Sequence, residues 1–222
     1  RQVIVILSEY IIEDLDLSLA QYGMLSGIAF AAIYCVFGIP IARIADGGNR
    51  RNVIAVSLAI WSFFTAVCGT VQNFWQLFAA RFGVGIGEAG GSPPAHSIVS
   101  DIFPAKQRAT ALSVYSFGVY GGILVGTIGG AYLVRYFDWR TAFVVVAIPG
   151  IFLAMIVRFV IKEPPRGLAE KRNDAQPPGF SKVMGFLWSR KSFRHLSFAC
   201  ALHAFVTYGV GNFMPLFLGR VH

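Results

Sequence analysis

Apolar residues run through this chain in long blocks, broken by short polar connections. The first block covers residues 1–12 and ends at the acidic stretch Glu13-Asp14-Leu15-Asp16-Leu17-Ser18, where Ser18 is suited to cap a following helix. Further blocks predict helices over 19–44, 52–71, 74–103, 106–137 and 139–161, joined by a polar turn at 45–51, by Gln72-Asn73 and by a turn at Pro104. A hydrocarbon core about 30 Å thick needs about 20 apolar residues of helix, and each of these five blocks is long enough. The first block reaches only about 18 Å at 1.5 Å per residue. It is the expected remnant of a first helix in a fragment that opens on Arg1 rather than Met.

The pattern then changes. Residues 162–178 (KEPPRGLAEKRNDAQPP) are charged, Pro-rich and without an apolar face, and predict a linker. In 180–191, Phe180, Val183, Met184, Leu187 and Trp188 share one helical face while Lys182, Ser189 and Arg190 fall outside it. That spacing predicts a short amphipathic helix lying on a membrane surface. A seventh apolar run covers 196–218. The expected organisation is therefore a bundle over 1–161, a linker with its amphipathic helix over 162–191, and the start of a second bundle over 192–222.

Composition agrees with a multi-pass, all-α membrane protein. The chain is 55% hydrophobic and 14% charged, against about 25% charged in soluble domains. Its net charge of +8 does not imply nucleic acid, because Lys and Arg lie in a few connections and not on one face of a soluble fold. Arg43, Arg50, Arg51, Lys106, Arg108 and the basic residues of 162–191 all flank alternate connections. The positive-inside rule places the 2–3, 4–5 and 6–7 connections in the cytoplasm, as expected for a bacterial inner membrane. Cys35, Cys68 and Cys200 stand in separate apolar runs without metal or disulfide spacing and read as packing residues. No nucleophile–base set, phosphate loop or metal cluster occurs, so neither an enzyme nor a cofactor is expected.

Glu88 stands inside the apolar run 74–103, with Arg81 seven residues earlier and nearly on the same helical face. A carboxylate in hydrocarbon costs a few kcal/mol or more, so such a residue normally faces an internal cavity and marks function. Three roles compete: a proton carrier whose affinity changes as a guanidinium moves, a permanently ionised partner of an arginine, and a ligand for a cationic substrate group. Other polar or aromatic groups that suit a cavity wall are Tyr34, Tyr115, Tyr120, His203 and Asn212. His96 follows the Pro93-Pro94 pair, which should kink or open its helix.

The segment Pro40-Ile41-Ala42-Arg43-Ile44-Ala45-Asp46-Gly47-Gly48-Asn49-Arg50-Arg51 resembles the cytoplasmic signature of the major facilitator superfamily, with Ala42 in place of its usual Gly and Gly47 in place of a basic residue. Six helices, a basic linker and a seventh helix match one half of that fold plus the start of the other. Arg81-Phe82-Gly83-Val84-Gly85-Ile86-Gly87-Glu88-Ala89, Pro94, Ser100-Asp101-Ile102-Phe103-Pro104 and Arg108-Ala109-Thr110-Ala111-Leu112-Ser113 resemble its spinster-like branch. The resemblance implies a gating relay of Asp46, Arg50 and Asp101, with Arg51 and Arg108 beside it, that latches the two halves on the cytoplasmic side. It also implies that Arg1 and Glu88, on cavity-lining helices, form a proton-sensing and substrate-gating pair, with Arg81 as a secondary or structural partner. The implied function is proton-linked transport of an amphipathic or lipid-like molecule by a monomer whose remaining half lies beyond this chain. An organic-anion or sugar-acid porter, with Arg1 on a carboxylate, and a ligand receptor that does not transport are the alternatives. Gly83, Gly87 and Gly91 predict close packing, and so do Gly118, Gly122, Gly126 and Gly130. Thr127 stands where the superfamily's antiporter signature has Pro, so transport direction stays open.

Overall fold

A computed structural model describes residues 3–169 and 179–221, and among them every regular element is helical. The chain divides into two compact units, Arg1–Asn173 and Asp174–His222. Five of the described helical stretches are long and apolar enough to cross a membrane: Leu19–Gly47, Arg50–Cys68, Ala105–Tyr136, Trp139–Phe159 and Lys191–Leu218.

In the first unit the opening run forms α1 (Val3–Ile6) and α2 (Ser8–Asp14), broken at Leu7 and extending two residues into the expected acidic connection. Ser18 caps α3 (Leu19–Gly23) through a capping box with Gln21: its Oγ accepts from Gln21 N at 3.2 Å while its own N–H donates to Gln21 Oε1 at 2.8 Å. A π-helical turn, Met24–Ile28, then joins α3 to α4 (Ala29–Gly47). Ser26 Oγ donates back to Tyr22 O at 2.9 Å within this stretch. Hydrophobic periodicity does not distinguish such a turn from an α-helix, so the sequence predicts one uninterrupted helix there.

The turn expected over 45–51 shrinks to Gly48 and Asn49. Asn49 Oδ1 accepts from Asn52 N at 2.9 Å and so caps α5 (Arg50–Cys68). Arg50 and Arg51 therefore belong to the first turn of a helix, not to a loop. Asn73 caps α6 (Phe74–Ala89) in the same way, accepting from Gln76 N at 3.0 Å. The helix expected over 74–103, with a kink or opening at Pro93-Pro94, is interrupted just before that pair, where Gly90 and Gly91 separate α6 from α7 (Ser92–Ile102). Pro93 and Pro94 stand in the first turn of α7, where a missing N–H leaves no helical bond unmade. α8 (Ala105–Tyr136) and α9 (Trp139–Phe159) complete the unit, with Asp138 Oδ1 capping α9 through Thr141 N at 2.8 Å.

α5 packs against both α6 and α9. On α6 the predicted glycine stripe is the contact: a Cβ at Gly87 would lie 2.6 Å from the backbone N of Trp61, and one at Gly83 would lie 2.3 Å from the Phe64 ring. On α8 the outcome differs. A Cβ at Gly118, Gly122 or Gly126 would meet no described atom within 4 Å, and Gly130 alone of that series would meet one, Ile6 Cδ1 at 3.3 Å. The second unit holds α10 (Phe180–Ser189), the expected amphipathic helix, and α11 (Lys191–Val221), which begins five residues before the predicted run at 196.

Candidate functional site

Arg81 and Glu88 both line a cavity of about 100 Å³ inside the first unit. Its walls come from α1 (Val3, Ile4), α5 (Trp61, Ser62, Thr65), α6 (Arg81, Glu88) and α9 (Phe143, Val146, Ala147, Gly150). At roughly 30 Å³ per water it has room for about three. Gly150 belongs to this geometry: a Cβ there would lie 2.1 Å from Ser62 Oγ. Arg81 is buried, and its guanidinium carbon sits 4.8 Å from the Phe30 ring centroid, a cation–π contact from α4. Glu88 is half-buried. Arg1, the other arginine assigned to this carboxylate, lies outside the described residues.

The remaining cavity candidates are dispersed. Tyr34 on α4 stacks toward Phe30 with centroids 6.5 Å apart. Tyr115 on α8 meets His96 of α7 edge-on at 5.3 Å, so His96 has an aromatic partner as well as its place after the proline pair. Tyr120, 71% exposed, borders a groove of about 360 Å³ on α8 with Leu112, Ser113, Ser116 and Phe117. His203 is exposed and Asn212 half-buried on α11. They belong to the second unit.

The second cluster surrounds Arg50, whose side chain is 1% exposed. Its Nη1 pairs with Asp101 Oδ2 at the end of α7 and donates to Ser97 Oγ at 3.0 Å. Its Nε donates to Glu163 Oε1 at 2.7 Å and its Nη2 to Pro164 O at 3.0 Å. The guanidinium fork is thus filled by two carboxylates, a hydroxyl and a carbonyl, the arrangement its planar geometry favours. Arg51 adds a backbone N–H to Glu163 Oε2 at 2.8 Å and reaches Ile161 O at 3.3 Å. Arg108 closes the C-terminus of α7, donating to Ser100 O at 2.8 Å and Phe103 O at 3.1 Å.

Asp46 does not join this cluster. It is exposed at the end of α4 and makes no ion pair among the described residues. Glu163 occupies the second acidic position beside Arg50. Through residue 169 the segment after α9, the start of the expected linker, is held against the end of the bundle. It folds back as a strap: Arg166 donates to Ala45 O at 2.8 Å and Gly48 O at 2.9 Å, closing the end of α4. Gly167, at φ 66°, turns its N–H onto Asp101 Oδ1 at 3.0 Å, and Ala169 N donates to Asp101 O at 2.8 Å. Glu163, Arg166 and Ser97 are the residues that sequence reasoning missed. The available signal was Pro164-Pro165 beside opposite charges only a few residues past an apolar run, which holds the chain extended and close to the bundle end.

Burial alone would raise the proton affinity of Glu163. The Arg51 N–H, the Arg50 guanidinium and its charge outweigh that and hold the carboxyl below its ordinary value of 4.5. A depressed folded-state pKa contributes stability that is present above 4.5 and is lost as pH falls through the folded value. The melting temperature of the detergent-solubilised full-length protein should fall on acidification from about pH 6 to pH 3. It should fall less steeply in Glu163→Gln; equal slopes would mean that Glu163 contributes nothing to the acid sensitivity.

On the side of the unit that carries Asp14, Arg140 pairs with its carboxylate at 2.7 Å, stacks 4.2 Å from the Trp139 ring and donates to Val71 O at 3.2 Å. This clasp ties the end of α2 to the start of α9 and to the connection before α6. Among the described residues no group of His, Cys, Asp and Glu is arranged to hold a metal ion.

Comparison with known proteins agrees with this architecture. The family model described as Major Facilitator Superfamily matches residues 2–222. An MFS-type efflux pump of Mycolicibacterium smegmatis is 34% identical over 97% of this chain and 49% of its own length. Protein spinster homolog 1 of Xenopus tropicalis is 32% identical over 94% of this chain and 40% of its own. The crystal structure of a bacterial homolog to the human lysosomal transporter Spinster, inward-facing and unoccupied, superposes with a TM-score of 0.75 at 36% identity, over 99% of this chain and 52% of that one. The chain thus spans about half the length, or less, of the relatives it matches. With the helical order, the signature around Asp46–Arg51 and this whole-chain match in place, the chain belongs to the Major Facilitator Superfamily and is an integral, multi-pass membrane protein with spinster homologues among its relatives.

Proposed function

We propose that the protein is a proton-linked secondary transporter of an amphipathic or lipid-like molecule, in which this chain supplies one half of an alternating-access pair and the first helix of the other. The observation that carries the proton coupling is the pair Glu88 and Arg81 on one small cavity inside an apolar bundle. A carboxyl placed there changes its proton affinity when a guanidinium approaches or withdraws, so its protonation follows conformation. Arg1 is the natural second guanidinium for that exchange. The amphipathic substrate rests on the α8 groove, lined by Leu112, Ser113, Ser116, Phe117 and Tyr120: apolar surface with hydroxyls and no basic group to select an anion.

Arg50, Asp101 and Glu163 form the cytoplasmic gating element in this reading, with Arg51 and Arg108 supporting it. All of Arg50's described partners lie within its own unit, so the cluster joins the ends of α4, α5, α7 and α9 into a plate that can rock as a body. Asp46, exposed at the rim of that plate, is left for the opposing half. The connections bearing these residues are cytoplasmic by the positive-inside rule.

Full-length protein in proteoliposomes tests the reading with two probes, a fluorescent lysophospholipid and a sugar acid. A pH gradient should drive the lysophospholipid, and Glu88→Gln should abolish the drive while exchange without a gradient persists. Gradient-driven flux that survives Glu88→Gln would overturn the proton role. Flux of the sugar acid alone would overturn the substrate class, and binding without flux of either would make the protein a receptor.

A further inference from the structure

We infer that α10 and the start of α11 form a surface for anionic phospholipid headgroups of the leaflet at which α11 enters the membrane. α10 is ten residues long and amphipathic, yet its large apolar side chains are not consumed by packing. Val183 and Leu187 are half-buried, whereas Met184, Phe186 and Trp188 stay open, the last two at 58% and 61% exposure. Met184 and Trp188 lie on the apolar face with Phe180, an exposed edge that suits the boundary between headgroups and acyl chains. Phe186 lies on the opposite side beside Lys182 and Arg190.

Charge selects which lipid. Lys182, Arg190, Lys191 and Arg194 follow one another along α10 and the first turn of α11, and residues 179–222 contain no Asp or Glu. Among the described residues none of these four cations is in an ion pair within the unit, and the Arg190 guanidinium lies over the Phe186 ring, 4.8 Å from its centroid. Lys191 and Arg194 also stand at the positive end of a 31-residue helix, where the helix dipole disfavours cations and a negative partner relieves the repulsion. The continuity of α10 with a membrane span places the ring of charge at headgroup depth, because Lys191–Leu218 is itself long and apolar enough to cross. Apolar side chains that enter the interface, bounded by basic groups in a stretch, 179–222, that carries no Asp or Glu, fit the phosphate layer of an acidic leaflet better than a protein surface of mixed charge.

Quenching of Trp188 by brominated lipids tests this in the full-length protein, its signal isolated as the difference between wild type and Trp188→Phe. At equal, low mole fraction, dibromo-phosphatidylglycerol should quench Trp188 more than dibromo-phosphatidylcholine does. The preference should weaken as salt rises, since exposed charges are screened beyond about 10 Å at 0.1 M. Lys182→Gln, Arg190→Gln and Lys191→Gln should each reduce the preference by roughly fivefold, and the quadruple variant that adds Arg194→Gln should be quenched equally by both lipids. Equal quenching of the wild type by both lipids would overturn the anionic selectivity. Quenching by neither would mean that protein covers this face, and would overturn the surface altogether. Both outcomes need only wild type and the conservative, exposed-site Trp188→Phe, with the α10 cations unsubstituted in each.

Discussion

Arg50→Ala is expected to lower the stability of the full-length protein by about 3–5 kcal/mol, the cost of removing one partner from a buried ion pair. The reason lies in what the truncation leaves behind. Asp101 would lose its only described ion-pair partner, Glu163 would keep backbone N–H groups alone, that of Arg51 foremost, and the Pro164 carbonyl and Ser97 hydroxyl would lose a charged donor. Arg50 is 1% exposed and the Asp101 and Glu163 side chains are 18% and 22% exposed, so water replaces only part of what the guanidinium supplies. In the full-length protein, about twice the length of this chain by its relatives, the effect should appear as a fall of roughly 5 °C in melting temperature in detergent. Arg50→Lys should recover only part of the loss, since an ammonium cannot serve two carboxylates and a carbonyl from one planar fork. A melting temperature within a degree or two of wild type for Arg50→Ala would show that the cluster is solvated and contributes little.

Gly87→Val is expected to prevent folding of the bundle. A Cβ at Gly87 would lie 2.6 Å from Trp61 N, 2.8 Å from its Cβ and 2.9 Å from its Cα, all atoms that move only if α5 itself moves. Even Gly87→Ala must separate two helices, and overpacking of this kind costs about 1–3 kcal/mol. Gly83→Ala should be milder, because the atoms it meets are Cγ and the Cδ atoms of Phe64, which a change of the side chain's χ1 displaces without moving the α5 backbone. Gly122→Ala, with no described atom within 4 Å, should be neutral or stabilising by up to about 1 kcal/mol through helix propensity. Yield of folded protein by size-exclusion chromatography and its melting temperature rank the series. Equal behaviour of Gly87→Ala and Gly122→Ala would contradict the close approach of α5 and α6.

These two sites were not equally visible in the chain. Gly83 and Gly87 announce close packing by their spacing on a helix, and the structure places them against α5. Gly118, Gly122 and Gly126 announce it equally well and meet no described atom, because spacing defines a smooth face without naming what lies on it. Arg50 with Asp101 was reached through resemblance to a signature, not from charge pattern. The same resemblance gave Asp46 the place beside Arg50 that Glu163 takes. Asn49 explains part of that difference: as a helix cap it draws Arg50 into α5 and turns its side chain toward α7 and the strap, while α4 carries Asp46 outward.

What the sequence by itself determined are the features that depend on neighbours along the chain. Apolar runs long enough to span a bilayer, the cap at Ser18 and the amphipathic stripe of α10 are of this kind, because periodicity and capping are local. Only the tertiary structure decided which carboxylate Arg50 meets across more than a hundred residues, and that Arg81 and Glu88 open onto a cavity shared with α1, α5 and α9. Each of those depends on the distance between helices that are remote in sequence. Helix packing sets that distance, and in a membrane bundle the packing is governed by where small side chains let two backbones touch.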